Sequence, residues 1–210
     1  MPVDPRRRAA LEVAAALGCL AVRIVAKDTG WGLAALAILC AAWAAYLLLR
    51  LKRHPALWVA WGLGWAPVRG ALRLHLPVTL LALLAVILAG WTLRGPLPPV
   101  GWWPLAIYPL WALAQEFALQ AVFVRGLATL GVRGSLLPVF AGATFGLAHM
   151  PDLPLAAIAA GGGTLWTWLW LRAPSTWVVA ASHAVLGAAA MMALLGKDPA
   201  QEFAALLPQP

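Results

Sequence analysis

Residues 77–93 read PVTLLALLAVILAGWTL, a run without a single charged side chain. A transmembrane helix needs roughly 20 mostly apolar residues, and comparable runs lie on both sides of this one. Of the whole chain, 63% is hydrophobic and only 10% is charged, whereas soluble domains carry roughly a quarter of charged residues. A soluble core of this size cannot bury so much apolar surface. The sequence therefore predicts an all-α, polytopic membrane helix bundle.

The apolar runs predict about seven transmembrane helices, at 9–25, 31–49, 77–93, 103–124, 135–150, 154–171 and 176–195. The first run resembles the start of a signal peptide, but Glu12 interrupts it, and Arg23 and Lys27 stand where the cleavage site would be expected. A cleavage site would need small residues there. We therefore expect a retained helix, and whether this first run spans the bilayer stays open.

The segment 50–76 differs from its neighbours, because basic residues flank Trp58, Trp61 and Trp65. This spacing of three and four places the tryptophans on one face of a helix. We predict an interfacial amphipathic helix that contacts anionic lipid headgroups, with His54 and His75 in solvent or against headgroups. An ordinary loop with a short buried helix is the alternative.

Basic residues also predict the orientation. With the N-terminus in the cytoplasm, Arg23, Lys27, Arg94 and Lys197 fall outside. Eleven fall on the cytoplasmic side: Arg6, Arg7, Arg8, Arg50, Lys52, Arg53, Arg69, Arg73, Arg125, Arg133 and Arg172. This bias accounts for the net charge of +8 without a nucleic-acid partner. We expect a multi-pass protein of a bacterial inner membrane, and its oligomeric state stays open.

Three ionisable residues inside the apolar runs are candidates for function, since such groups are costly at membrane depth. They are Glu116, His149 and His183, on three different helices. A carboxylate near an imidazole can stay charged and act as a base that activates water. Gln115 precedes Glu116, and Gln120 follows on the same helical face. A structural hydrogen-bond seam between helices is the competing interpretation.

A metal site is not expected. Two histidines and a carboxylate can hold zinc, but the HExxH signature is absent from the sequence. Cys19 and Cys40 lie singly in apolar runs and form no CxxC pair. We predict no cofactor, and we expect chelators to have no effect.

Three motifs occur in order along 103–195. The stretch 115–120 reads QEFALQ, the stretch 145–149 reads FGLAH, and the stretch 183–187 reads HAVLG. They resemble the EExxxR, FxxxH and HxxxN motifs of the CPBP family, which comprises type II CAAX prenyl proteases and bacteriocin-processing relatives. Gln115, Gln120 and Gly187 depart from the pattern. A second register, through Gln120, Ala121 and Arg125, keeps the arginine and loses both acids.

The resemblance implies a glutamic-type intramembrane protease, with a myxosortase-like branch as one possibility. It implies that Glu116 is the base, that His149 orients the water and that His183 stabilises the oxyanion, with Gln115, Gln120 and Phe145 in support. The substrate would be a membrane-anchored protein, either prenylated or carrying a C-terminal sorting signal. Residues 1–102 would be N-terminal helices, 103–195 the catalytic core and 196–210 a tail. Gly187→Asn would restore the missing group if space is available.

Two other functions remain open. The departures at Gln115, Gln120 and Gly187 favour a non-catalytic relative, such as a membrane scaffold, chaperone or immunity protein. A small transporter, with the polar residues as an ion site, is a further alternative, although no inverted repeat is visible.

Overall fold

The computed structural model describes residues 4–26, 29–96 and 103–198, with the backbone alone for 103–107, and every regular element in these ranges is helical. Most of the predicted tail 196–210 and Lys27 lie outside the described residues. The helices are α1 (Pro5–Ala26), α2 (Gly32–Arg53), α3 (Leu57–Ala60), α4 (Val68–Arg94), α5 (Trp103–Glu116), α6 (Arg125–Leu130), α7 (Leu136–Leu147), α8 (Leu153–Arg172) and α9 (Thr176–Ala190). A π-helical segment, π1 (Phe117–Val124), joins α5 to α6, and another, π2 (Met191–Leu195), extends α9.

Local signals explain where these helices begin and end. Asp152 caps α8, because its side chain accepts a hydrogen bond of 3.1 Å from the Leu155 amide. Ser175 caps α9 by accepting a bond from the Val178 amide. Gly131 terminates α6 in a left-handed conformation with φ of 105°, which glycine adopts without steric cost.

Within the described residues, four helical segments are long and apolar enough to cross a bilayer: α1, α2, α4 and the continuous pair α9–π2. The prediction of an all-α membrane helix bundle is confirmed, whereas the count of seven spans stays a prediction. The third span begins earlier than expected, since α4 starts at Val68 and continues through Pro77.

The single amphipathic helix predicted over 50–76 is wrong. The segment contains the end of α2, the four-residue α3 and the first turns of α4. Trp61 is buried against Phe117, whereas Trp65 is 70% exposed and stacks on Trp177. His75 is buried rather than solvated, and its Nε2 lies 3.3 Å from the carbonyl oxygen of Ala173. Packing between distant helices separates tryptophans that an isolated helix would align.

Helix α9 lies at the centre of the bundle, in contact with α4, α5 and α8. Small residues allow α7 and α8 to pack closely, as is common between membrane helices. A Cβ atom at Gly146 would lie 2.8 Å from the carbonyl oxygen of Ala156, and one at Gly163 would lie 2.9 Å from the Cβ of Phe145.

The alternating helices give the bundle two ends. We call one the basic end, because the starts of α1 and α4, the ends of α2 and α8 and the α6–α7 turn carry most of the arginines there. Contacts hold this end together: Arg50 pairs with Glu12, and Arg125 donates to the carbonyl oxygen of Ala60. At the opposite end, Arg94 Nε donates to the Leu194 carbonyl oxygen at 2.7 Å, and Lys197 pairs with Asp152.

Candidate active site

The central feature of the bundle is a buried hydrogen bond between Glu116 and His183. His183 Nδ1 donates to Glu116 Oε1 at 2.9 Å, although 67 residues separate the two positions. Glu116, at the end of α5, is 0% exposed, and His183, in the middle of α9, is 3% exposed. Burying either group without a partner at this depth would cost free energy. The hydrogen bond between them reduces that cost.

The second oxygen of Glu116 is also engaged. Gln120 Nε2 donates to Glu116 Oε2 at 2.9 Å, so these two residues share a face as their spacing predicts. The same amide nitrogen lies 3.1 Å from Thr167 Oγ1 on α8. Glu116 therefore has both carboxylate oxygens occupied by hydrogen-bond donors.

Aromatic rings hold the His183 imidazole in place. Trp166 stacks on it, with ring centroids 4.2 Å apart and an interplanar angle of 16°. Phe145 meets it edge to face at 5.5 Å. Trp166 is itself anchored, because its Nε1 donates to Ser182 Oγ at 3.3 Å. With Nδ1 bonded to Glu116, Nε2 is the nitrogen that His183 retains for another partner.

His149 lies in the turn that follows α7 and has no described hydrogen bond with Glu116 or His183. Its Nδ1 is 2.7 Å from the Phe145 carbonyl oxygen. A carbonyl oxygen only accepts, so Nδ1 carries a proton and Nε2 of the neutral ring has a lone pair. Phe145 stands between the two histidine rings, 4.8 Å from His149 and 5.5 Å from His183 between centroids.

Both histidines line one cavity of about 760 Å³. Most of its wall is apolar. Besides tryptophans and Cys19, the polar residues on the described wall are Arg23, Tyr108, Gln115, His149, Asp152 and His183. Glu116 is fully covered behind His183 and is not part of that wall. A water molecule in the cavity would therefore meet imidazole nitrogens, whereas we expected it to meet the carboxylate.

The condition for Gly187→Asn, that space is available at this position, is not met. A Cβ atom at Gly187 would overlap the Tyr108 hydroxyl and would lie 3.2 Å from His183 Cδ2. The Tyr108 ring meets the His183 ring edge to face, with centroids 6.0 Å apart. A phenol from α5 thus occupies the place beside His183 where the motif would put an amide on α9.

The remaining candidates from the sequence, Gln115, Gln120 and Arg125, lie in different parts of the bundle. Gln115 lines the cavity, whereas Gln120 is buried with Glu116. Arg125, which the second motif register requires, lies at the basic end with Ala60. Among the residues in 4–26, 29–96 and 103–198, no group of three His, Cys, Asp or Glu residues could hold a metal ion.

Sequence reasoning missed Tyr108, Trp166 and Thr167. Tyr108 and Thr167 carry hydroxyl groups within predicted membrane helices, and such groups usually find a partner there. That signal could have selected both residues, although not their contact with His183 or Gln120. No signal in the sequence separates Trp166 from the other tryptophans.

Comparison with known proteins identifies one family. The family model "Type II CAAX prenyl endopeptidase Rce1-like" matches residues 96–189, a little under half of the chain. No curated protein matches the chain, and no solved structure matches it. The match contains Glu116, His149 and His183, and its family consists of proteases. Residues 96–189 are therefore a domain of the Rce1-like family of type II CAAX prenyl endopeptidases.

Proposed function

We propose that this protein is an intramembrane endopeptidase in which the His183–Glu116 pair activates water. One observation carries the proposal: the fully buried carboxylate of Glu116 accepts a hydrogen bond from Nδ1 of His183, and the His183 ring lines a large, mostly apolar cavity. A carboxylate in this position holds the ring in one tautomer and stabilises the imidazolium that forms when Nε2 takes a proton. The substrate is a membrane-anchored protein.

The proposed reaction uses Nε2 of His183 as general base. It takes a proton from water while the water oxygen attacks the carbonyl carbon of the peptide bond. The same nitrogen then protonates the departing amine as the C–N bond breaks. His149 Nε2 accepts the water's other hydrogen and orients it. His183 thereby takes the role of base that the resemblance implied for Glu116, and Glu116 orients the imidazole instead.

The oxyanion needs hydrogen-bond donors, and α5 contributes two of those on the cavity wall. The Tyr108 hydroxyl lies beside His183, and the Gln115 side-chain amide is on the same helix, seven residues later. His149 is unsuited to this role, because its neutral ring presents a lone pair to the cavity. We propose Tyr108 as the donor that replaces the missing asparagine of the third motif.

Glu116→Gln tests the pair. The amide keeps the shape of the side chain but cannot stabilise an imidazolium, so we expect cleavage to fall by about a hundredfold or more. The measurement is cleavage of a co-expressed membrane-anchored substrate, normalised to protein in the membrane fraction. Glu12→Gln is the matched control, because Glu12 also lies in a membrane helix but pairs with Arg50 at the basic end. Equal cleavage by parent and Glu116→Gln at equal abundance would rule out this mechanism.

A second function is favoured by Gln115. This residue lines the cavity at the position where the motif has its first glutamate, and an amide cannot take a proton from water. A non-catalytic protein would use the same cavity to hold a membrane segment without cutting it. If the parent does not cleave any tested substrate while Gln115→Glu does, this alternative replaces the protease.

A further inference from the structure

The cavity beside His183 extends from the middle of the bundle, at Trp166 and His183, towards one end. Its wall includes Cys19 and Arg23 from the second half of α1, and Leu36 from the first half of α2. The wall also includes Tyr108 from the first half of α5 and Asp152 from the turn before α8. These positions all belong to the end opposite the basic end. Since the lining reaches that end and takes no residue from the ends of the helices at the basic end, we infer that the mouth of the cavity is at the opposite end.

Charge is distributed very unevenly between the two ends. The basic end has the eleven cations counted in the sequence, whereas the described cations of the opposite end are Arg23, Arg94 and Lys197. Loops rich in lysine and arginine stay in the cytoplasm during membrane insertion. This rule places the basic end in the cytoplasm and the mouth of the cavity at the other surface of the membrane.

The lining of the cavity indicates what enters it. Ile158 and Leu165 from α8 and Leu36 from α2 contribute apolar side chains to its wall. Between them Gly161 is exposed, with nothing within 4 Å of the position that a Cβ atom would take. No side chain therefore fills the space at Gly161. A volume of about 760 Å³ accommodates a short peptide segment rather than a folded domain.

We propose that the cavity receives the apolar anchor segment of a membrane protein from the non-cytoplasmic half of the bilayer. The site would then act on a segment exposed at the outer surface, such as a C-terminal sorting signal. A lipidated C-terminus held at the cytoplasmic surface would lie at the basic end, across the bundle from His183. That the segment is cut, rather than only bound, rests on the proposed function.

Thiol labelling in intact cells tests the direction of access. In a background of Cys19→Ala and Cys40→Ala, one variant carries Leu155→Cys on the cavity wall. A second carries Ser135→Cys, exposed at the start of α7 on the basic end. The probe is a sulfonated, membrane-impermeant maleimide, applied to cells with a permeable outer envelope before and after the membrane is opened.

We expect Leu155→Cys to react in intact cells and Ser135→Cys only after the membrane is opened. A variant that retains Cys40, an exposed residue in the middle of α2, controls for reagent entering the bilayer and should not react. Leu155→Cys that reacts only in opened membranes, or not at all, overturns the proposal. Labelling does not require catalysis, so a cleaving Glu116→Gln variant would refute the mechanism while leaving the direction of access intact.

Discussion

At the residue scale, the site depends on groups that satisfy one another in apolar surroundings. Glu116 receives donors from His183 and Gln120, and these bonds join α5, π1 and α9. The carboxylate can remain at membrane depth because both of its oxygens are bonded. Because Glu116 is fully buried, it is not part of the cavity wall. It can act on a substrate only through its hydrogen bond to His183.

The contact between Gly187 and Tyr108 gives a prediction at this scale. Gly187→Ala should destabilise the protein by about 1–3 kcal/mol, because the added methyl group overlaps the Tyr108 hydroxyl in a packed region. Thermal unfolding in detergent measures the loss. Adding Tyr108→Phe, which removes the hydroxyl, should restore most of it.

Gly70→Ala is the control for this pair, since nothing lies within 4 Å of a Cβ atom at that position of α4. Alanine there should be neutral or stabilising by up to about 1 kcal/mol, because glycine is a weak helix former. A Gly187→Ala protein as stable as the parent would show that Tyr108 does not occupy this place.

At the element scale, the pairing of α7 with α8 holds Phe145 and His149 against the cavity. Gly142 and Gly146 on α7 face the backbone of α8, and a Cβ atom at Gly142 would lie 2.5 Å from the carbonyl oxygen of Ala160. Two backbones can approach this closely only where side chains are absent. The spacing of the two glycines by four residues places both on one face of α7.

We predict that Gly142→Ala reduces stability by about 1–3 kcal/mol, since α8 must move away from α7. The measurement is the unfolding midpoint in detergent, together with the fraction of protein recovered from the membrane. Gly161→Ala, on the same helix pair but in open space, is the matched control and should match the parent. If both variants unfold alike, close packing at Gly142 does not stabilise this pair.

At the scale of the whole molecule, polar contacts between described residues hold together the end opposite the basic end. Asp152 pairs with Lys197, which joins the start of α8 to the residues after π2. The hydrogen bond from Lys197 is the largest cause that lowers the pKa of Asp152 from its ordinary value of 3.8, and the Leu155 amide lowers it further. The ionised form of Asp152 is therefore the one that stabilises the fold.

This pair predicts a pH dependence. A lowered pKa contributes stability above about pH 4, and that stability is lost as the pH falls through the lowered value. Asp152→Asn keeps the cap oxygen but loses the charge, so it should cost at most about 1 kcal/mol near pH 7, since both side chains are partly exposed. The difference in unfolding midpoint between parent and variant should shrink below pH 4. A difference that is unchanged at pH 2–3 would contradict the assignment.

Sequence by itself determined the class of the fold and the choice of polar residues. Apolar runs and the near absence of charge within them predict membrane helices, because no other solvent accepts so much apolar surface. The cost of ionisable groups at membrane depth selected Glu116, His149 and His183. The helical repeat related Gln120 to Glu116, and that contact is observed.

Only the tertiary structure decided which of these groups meet and which of them face the cavity. The bond between Glu116 and His183 joins positions 67 residues apart, and nothing local encodes a contact between α5 and α9. The same limit applies to Trp61, which packs on Phe117 away from its neighbouring tryptophans, and to Tyr108, which occupies the space beside Gly187. Periodicity specifies one face of one helix, whereas the packing of several helices decides what that face contacts.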